Sequence, residues 1–375
     1  MTHLIFEDEY MRRKRIVSIM ATIVLAVSIM SGCSMATGTP SANFTLGMAA
    51  TTATGEETVI AFLDSNLNLI YRTKSMKYAG SVSSSKLPAI SKGVLYCSPE
   101  GEMGVNDETT TIAMNLTTGR ITKYDNGEKL SGPSAISAND KAYYIARNLN
   151  GVSTIDRRDF KTKKIISANF DESKGIGFTN LLATDRYVFC SGFAYKKNYI
   201  YKLDADTLKI CGRIKITSDA GEMSLYGNKL YFALTPDESK NGKKVKAVGE
   251  YDLNTNKTRF IRLNIHGVIG RVQKYKNRLI VPDENIDEKR GNYINIYDLK
   301  SGKNRRIEYK RDLNQIEMKG DKMYILGGTI EDDDKGIIDE YQLRGMSLKL
   351  IKEKKITDEL AGMCVSCIFT DSQSH

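Results

Sequence analysis

The residues able to do chemistry are few and scattered along the chain. The histidines are His3, His266 and His375, two at the chain ends and one in the middle. Once His3 is set aside with the leader described next, the two or three imidazoles of a zinc or iron site cannot be gathered in one folded unit. A Ser-His-Asp or Cys-His arrangement would have His266 and little else. Beside Gly267, with no nucleophile motif near it, His266 reads as a loop histidine. The cysteines are Cys33, Cys97, Cys190, Cys211, Cys364 and Cys367. Beyond Cys33 their number is odd, so a complete disulfide framework is not expected. Cys364-Val-Ser-Cys367 has CxxC spacing but falls on a predicted strand, whereas a redox pair wants a helix N-terminus and a zinc site a second pair. These thiols are expected to be small buried hydrophobes. Glu331–Asp334 and Asp283–Asp287 offer carboxylates without the spacing or terminal bidentate Glu of an EF-hand, and read as solvated acidic loops. No catalytic residue, metal or cofactor is assigned.

The chemistry at Cys33 is of another kind. Met11-Arg-Arg-Lys-Arg15 is a basic block, Ile16–Met30 is apolar except for Ser18, Thr22 and Ser28, and Ser31-Gly32-Cys33 follows. A positive start, a short apolar run and a small-residue exit make a secretory signal. The run is shorter than the roughly 20 residues that cross a bilayer. Glu7, Asp8 and Glu9 are foreign to a signal start, which points to Met11 as the initiator. Met30-Ser-Gly-Cys33 resembles the lipobox of bacterial lipoproteins, with Met where Leu is usual. That resemblance implies cleavage before Cys33, a diacylglyceryl group on its sulfur and a covalent lipid as the sole attached group. Two or more acyl chains hold a protein firmly, at about 0.8 kcal/mol per buried methylene. The organisation expected is a signal over 1–32, a lipid-anchored tether over 33–43 and a folded domain over 44–375, outside the bacterial cell membrane.

Composition fits a folded domain: 41% hydrophobic and 27% charged residues are neither a disordered nor a multi-span membrane chain. Removing residues 1–32 takes away four basic and three acidic side chains and lowers the net charge from +10 to +9. With no run of five like charges, a nucleic-acid partner is not expected.

The elements that must position any site come from a repeat near 46 residues. One landmark is a hairpin signal: Asn115-Leu-Thr-Thr-Gly-Arg120, Asp159-Phe-Lys-Thr-Lys-Lys164, Asp204-Ala-Asp-Thr-Leu-Lys209, Asp252-Leu-Asn-Thr-Asn-Lys257 and Asp298-Leu-Lys-Ser-Gly-Lys303, with worn copies at Asp64 and Gln342. The other is an aromatic or aliphatic pair after a polar turn, as in Lys141-Ala-Tyr-Tyr144 and Lys229-Leu-Tyr-Phe232. Between them lie runs of five to eight residues with strand alternation, bounded by Gly, Asn and Asp. In one repeat they are Ser134–Ala138, Ala142–Ala146, Val152–Asp156 and Lys164–Asn169.

Four antiparallel strands per unit, repeated about seven times, predict an all-β chain: a seven-bladed β-propeller of four-stranded antiparallel blades. The first unit begins at its second strand, near Phe44–Thr51, and a lone strand-like piece, Met363–Phe369, ends the chain. That tail is expected to close the ring in blade one. Over 44–375 the repeat resembles the YVTN/WD-like propeller superfamily in architecture, which carries no activity with it. The absence of Trp argues against Trp-Asp repeats, tryptophan-docked quinoprotein and outer-membrane assembly propellers and sialidase-type Asp-boxes. Gly327-Gly328 alone does not make a kelch series.

Short turns are expected on one rim and longer loops (Ser98–Thr109, Thr235–Lys244, Pro282–Asn292, Gly327–Ile337) on the other, where recognition is sought. At the channel mouth on that side Thr179, Glu222, His266, Arg271 and Gln315 are expected, a mixed set suited to a small polar ligand or a peptide tip. The functional expectation is a monomeric, membrane-anchored binding or scaffold module for a protein, peptide or cell-envelope polymer. The alternative is a propeller enzyme, lactonase- or lyase-like, acting at the channel mouth.

Overall fold

The computed structural model describes residues 44–52, 57–76, 87–98, 110–126, 133–149, 152–171, 177–191, 198–235, 245–265, 267, 270–284, 292–327, 336–356, 360 and 363–371. Blade 1 contains β1 (Leu46–Thr51), β2 (Thr58–Leu63) and β3 (Leu69–Arg72). Blade 2 is β4 (Ala89–Ser91), β5 (Val94–Cys97), β6 (Thr110–Asn115) and β7 (Ile121–Asp125). Blade 3 is β8 (Pro133–Ala138), β9 (Ala142–Leu149), β10 (Val152–Asp159) and β11 (Ile165–Asp171). Blade 4 is β12 (Asn180–Ala183), β13 (Tyr187–Ser191), β14 (Tyr199–Asp204) and β15 (Ile210–Lys215). Blade 5 is β16 (Ala220–Tyr226), β17 (Lys229–Leu234), β18 (Val245–Asp252) and β19 (Lys257–Leu263). Blade 6 is β20 (Gln273–Tyr275), β21 (Arg278–Asp283), β22 (Asn292–Asp298) and β23 (Asn304–Tyr309). Blade 7 is β24 (Leu313–Lys319), β25 (Lys322–Gly327), β26 (Ile337–Arg344) and β27 (Ser347–Lys355), and the last strand is β28 (Cys364–Phe369). The seven sheets are four-stranded and antiparallel, and the first has the order β28-β1-β2-β3. The chain is a seven-bladed β-propeller whose final strand completes its first blade, as the repeat predicts.

Strand alternation explains why seven separate sheets make one body. Successive side chains point to opposite faces, so the central strands feed two cores at once. On β17, Leu230, Phe232 and Leu234 pack with blade 4, and Tyr231 and Ala233 pack with blade 6. On β25, Met323 and Ile325 face blade 6 while Tyr324 and Leu326 face blade 1. Phe44, Phe62 and Phe369 meet Ile90 and Leu95 of blade 2, and Met48 and Ile368 meet Leu326 of blade 7. Both seams of the closing blade are therefore as apolar as the others.

The recurring Asp is a turn device. Asp159 Oδ1 accepts the amides of Lys161 and Thr162, at 2.9 and 2.7 Å, and the Thr162 hydroxyl at 3.0 Å. Asp204, Asp252 and Asp298 repeat the pair of amide bonds. Donation from the Thr162 amide, with Arg157 and the other turn donors, holds the Asp159 carboxyl down at about 2. The turn then needs a left-handed residue, supplied by Gly119, Lys163, Leu208, Asn256 or Gly302.

Two expectations need correction. Cys97, Cys190, Cys364 and Cys367 are buried, but Cys211 is exposed, because it lies on β15, an outermost strand that no further strand covers. Asp283 is not solvated. It sits 1% exposed at the end of β21, accepts the Gly267 amide at 2.8 Å and pairs with Arg306 at 3.0 Å. Glu331–Asp334 and most of the long loops lie outside the described residues.

Candidate functional site

The inner strands are tied to one another by side chains reaching the next blade's backbone. Ser91 Oγ donates to Asn139 O at 2.8 Å, the Ala183 amide donates to Ser137 Oγ at 2.9 Å, and Ser224 Oγ donates to Val272 O at 2.8 Å. Gln273 Nε2 donates to Ile316 O at 3.2 Å. Polar residues on inner strands are thus partly consumed in assembly, and several of those in blades 5 to 7 form a connected network.

That network is centred on Arg271, just before β20. Its Nε donates to Ser224 Oγ at 3.3 Å, and a terminal nitrogen lies 3.7 Å from Glu317 Oε1. Glu317, 1% exposed, also accepts Gln315 Nε2 at 3.0 Å and Gln273 Nε2 at 3.4 Å. Tyr226 completes the set by donating its hydroxyl to Gln273 Oε1 at 3.1 Å. Burial alone would make the Arg271 guanidinium easier to deprotonate, but the neighbouring Glu317 carboxylate, with Tyr226 and Glu222, raises its pKa.

Glu222, on β16, is the reactive member. Burial pushes its carboxyl up to about 7, with the Glu317 charge adding and Arg271 opposing. Its Oε2 is buried without a hydrogen-bond partner among the described residues. Glu222, Arg271 and Thr179 line a cavity of about 70 Å³, whose remaining wall is largely apolar and includes Ile90, Ile136 and Leu181. The space suits a few waters or one small group, with a charged end and a greasy side.

Of the residues expected at the mouth, Thr179, Glu222 and Arg271 share this cavity. Gln315 joins the network through Glu317 but spends its amide on the closing strand, donating to Ile368 O at 2.6 Å and accepting its amide at 2.9 Å. His266 lies outside the described residues. Glu317, Gln273 and Ser224 were not singled out from sequence. The usable signal was the period of two: Glu222-x-Ser224, Arg271-x-Gln273 and Gln315-x-Glu317 lie at the same ends of successive inner strands.

The arrangement can bind polar groups and move a proton through Glu222. It does not resemble a metal centre: among the described residues no three His, Cys, Asp or Glu are grouped to hold one, and the guanidinium already supplies positive charge between the two carboxylates. At the opposite end of the channel a larger recess, about 890 Å³, opens among the short turns, lined by Phe44, Lys92, Asp140, Arg186, Asn228 and Asp371. The rim of short turns thus carries a recess of its own, which the loop-based reading does not expect.

No protein-family profile and no curated protein matches the chain. Solved structures do. BamB from Moraxella catarrhalis aligns at 15% identity with a TM-score of 0.52, over 84% of this chain and 86% of that one. A protein of Bacteroides fragilis NCTC 9343, described as a candidate 6-phosphogluconolactonase, aligns at 11% identity with a TM-score of 0.60, over 88% and 98%. The dihydro-heme d1 dehydrogenase NirN aligns at 11% identity with a TM-score of 0.54, over 88% and 76%. At such identities the likeness is one of fold.

Proposed function

We propose that the protein is an extracytoplasmic lipoprotein, tethered to the bacterial cell membrane through lipid on Cys33, whose propeller binds a protein, peptide or cell-envelope ligand at the channel site. The observation that carries the binding reading is Glu222 Oε2, buried and unpartnered beside Arg271 on a small amphipathic cavity. A buried acceptor without a donor costs free energy that an incoming donor recovers. The rigid ring and the laced inner strands hold the site open before any ligand arrives, which lowers the ordering cost of binding. The ligand that fits offers a hydrogen-bond donor to Glu222, an acceptor to Arg271 and a short apolar body to Ile136 and Leu181.

The test is a photo-crosslinker placed at Leu181 in the full-length protein in its membrane, with Ile351 on the outer strand β27 as the control position. The expected result is a discrete adduct from Leu181 alone, lost when Arg271 is replaced by Leu. Equal adducts from both positions, or one indifferent to Arg271→Leu, would contradict the reading.

A second reading has one observation in its favour. A carboxyl held near 7 is poised as a general acid or base at neutral pH, and structures of similar fold include candidate lactonases. An enzyme of that kind would hydrolyse a sugar lactone and lose the activity in Glu222→Gln. Spontaneous rates in both proteins would leave binding as the function.

A further inference from the structure

We infer that the rim of short turns is a docking surface for an anionic lipid bilayer, so that the propeller stands with this rim on the membrane and the long-loop rim facing away. The inference rests in part on the Cys33 anchor proposed above.

The first observation is where the chain enters the ring. Phe44 and Asp371, the first and last described residues, both line the recess on this rim. Lys319 joins them there, donating to Phe44 O at 2.7 Å and pairing with Asp371 at 2.9 Å. Only residues 34–43 separate Cys33 from Phe44, a segment whose extended reach is about 35 Å. A lipid on Cys33 therefore brings the chain's point of attachment, which is on this rim, within that distance of the headgroups.

The second observation is charge. The outer turns of blades 2 to 6 end on Arg120, Lys164, Lys209, Lys257 and Lys303, all exposed. The turn residue is Asn115 in blade 2 and an ionised Asp in blades 3 to 6, which accepts its own turn amides, as Asp159 and Asp298 show; the basic side chains are the more exposed groups. In blade 3 the two turns carry Lys141, Lys161, Lys163 and Lys164, all exposed. Asp140, Asp185 and Asp206 offset part of this charge: Lys92 lies 3.6 Å from Asp140 and Lys141 lies 3.1 Å from Asp206. Such exposed pairs are weak and open readily to another anion.

The third observation is left-handed backbone at exposed lysines. Among the described residues six other than Gly have positive φ, and three are lysines: Lys92 at 48°, Lys163 at 62° and Lys276 at 53°. Leu67 and Leu208 occupy such positions with buried side chains, and Asn256 accepts the Tyr251 hydroxyl at 2.5 Å. The lysines are exposed. Sister turns put Gly119 and Gly302 where Lys163 stands, and Gly227 and Gly320 where Lys276 stands. Lys163 and Lys276 rest over the Tyr124 and Tyr275 rings, at 5.8 and 4.9 Å, and Lys92 faces Asp140, contacts that keep each charge at the surface of the rim. A flat anionic surface is the partner that can meet charges spread around a whole rim at once.

The experiment uses full-length chain carrying Cys33→Ala, so that no lipid contributes. It is co-sedimented with phosphatidylcholine vesicles, and with vesicles about one-third phosphatidylglycerol. The leader's basic block, Arg12 to Arg15, favours anionic vesicles in every variant alike, so the quantity read is each variant's excess relative to that of the Cys33→Ala parent. Expected is a salt-sensitive excess on the anionic vesicles. It falls about fivefold per removed charge in Lys163→Gly/Lys276→Gly, while that variant's resistance to denaturant rises. Lys161→Glu/Lys163→Glu/Lys164→Glu lowers the excess to what the leader alone supplies, and Lys215→Glu/Arg262→Glu/Lys349→Glu, on outer strands, preserves most of it. No excess over phosphatidylcholine, or equal loss in both triple variants, would overturn the inference. Because Cys33 is absent throughout, that failure is separate from failure of the anchor, which fatty-acid labelling of the wild-type chain reports.

Discussion

Gln315 brackets the Ile368 peptide, its amide nitrogen donating to the carbonyl at 2.6 Å and its oxygen accepting the N–H at 2.9 Å. Ile368 is paired in register with Met48 on the other side. The closing strand is thus held from both edges, by β1 along the sheet and by one side chain from blade 7. The same Gln315 nitrogen reaches Glu317, so the latch of the ring and the candidate site share an atom.

Replacing Gln315 with Ala leaves the Ile368 amide and carbonyl without that partner in a buried setting. A loss of about 1–3 kcal/mol in denaturant unfolding is expected, with faster hydrogen exchange concentrated in β28. Unchanged stability would mean that water fills the place at no cost.

Gly47 permits the approach of Phe369. A Cβ at Gly47 would lie 2.1 Å from the Phe369 ring, and that ring is fully buried against Phe44 and Phe62. Gly47→Ala is expected to destabilise by about 1–3 kcal/mol through overpacking. The cost should shrink when it is combined with Phe369→Leu, as a double-mutant cycle measures. Additive effects would contradict the contact.

Glu222 makes the fold sensitive to pH. Its carboxyl, ordinarily at 4.5, titrates at about 7 in the folded chain because of burial, and Glu284 is raised to about 7 by burial and the Asp312 charge. Between those values the folded state keeps a proton that the unfolded state releases, so stability falls as pH rises from about 4.5 to 7. Glu222→Gln removes one contributor. It is expected to match the wild type near pH 4.5 and to exceed it by about 1–2 kcal/mol at pH 8, a difference that thermal unfolding across pH measures. A constant difference would contradict the burial of the carboxyl.

Thiol labelling reads the blade faces directly. A maleimide should modify Cys211 within minutes in the native protein. Cys97, Cys190, Cys364 and Cys367 should wait for unfolding: all four are buried, and burial pushes the Cys97 thiol up to about 12. Rapid native labelling of Cys367 would show β28 detached from blade 1.

Much of the fold was legible because alternation and turn chemistry are local. The expected Ala142–Ala146 and Met363–Phe369 lie within a residue or a few of β9 and β28, since Asn139, Lys141 and the β-branched runs act on their own neighbours. Thr179, Glu222 and Arg271 were legible as a group because the repeat places them at the same end of successive inner strands. What sequence hides is the lateral partner. Asp283 reads as solvated acid in its own segment, yet Arg306, two strands over, pairs with it. Gln315 reads as a ligand contact, yet its amide is taken by Ile368, 53 residues away. Cys211 read as core because strand alternation does not say which strand is outermost.

The central claim, a propeller held to the membrane by its own N-terminal thiol, is tested most directly by the mass of the mature chain's first peptide. Membrane fractions of cells fed an alkynyl fatty acid should yield a labelled protein whose N-terminal residue is Cys33 bearing a diacylglyceryl thioether, and Cys33→Ala should abolish the label. An unmodified Cys33 in an otherwise intact chain, or label that survives the substitution, would contradict it.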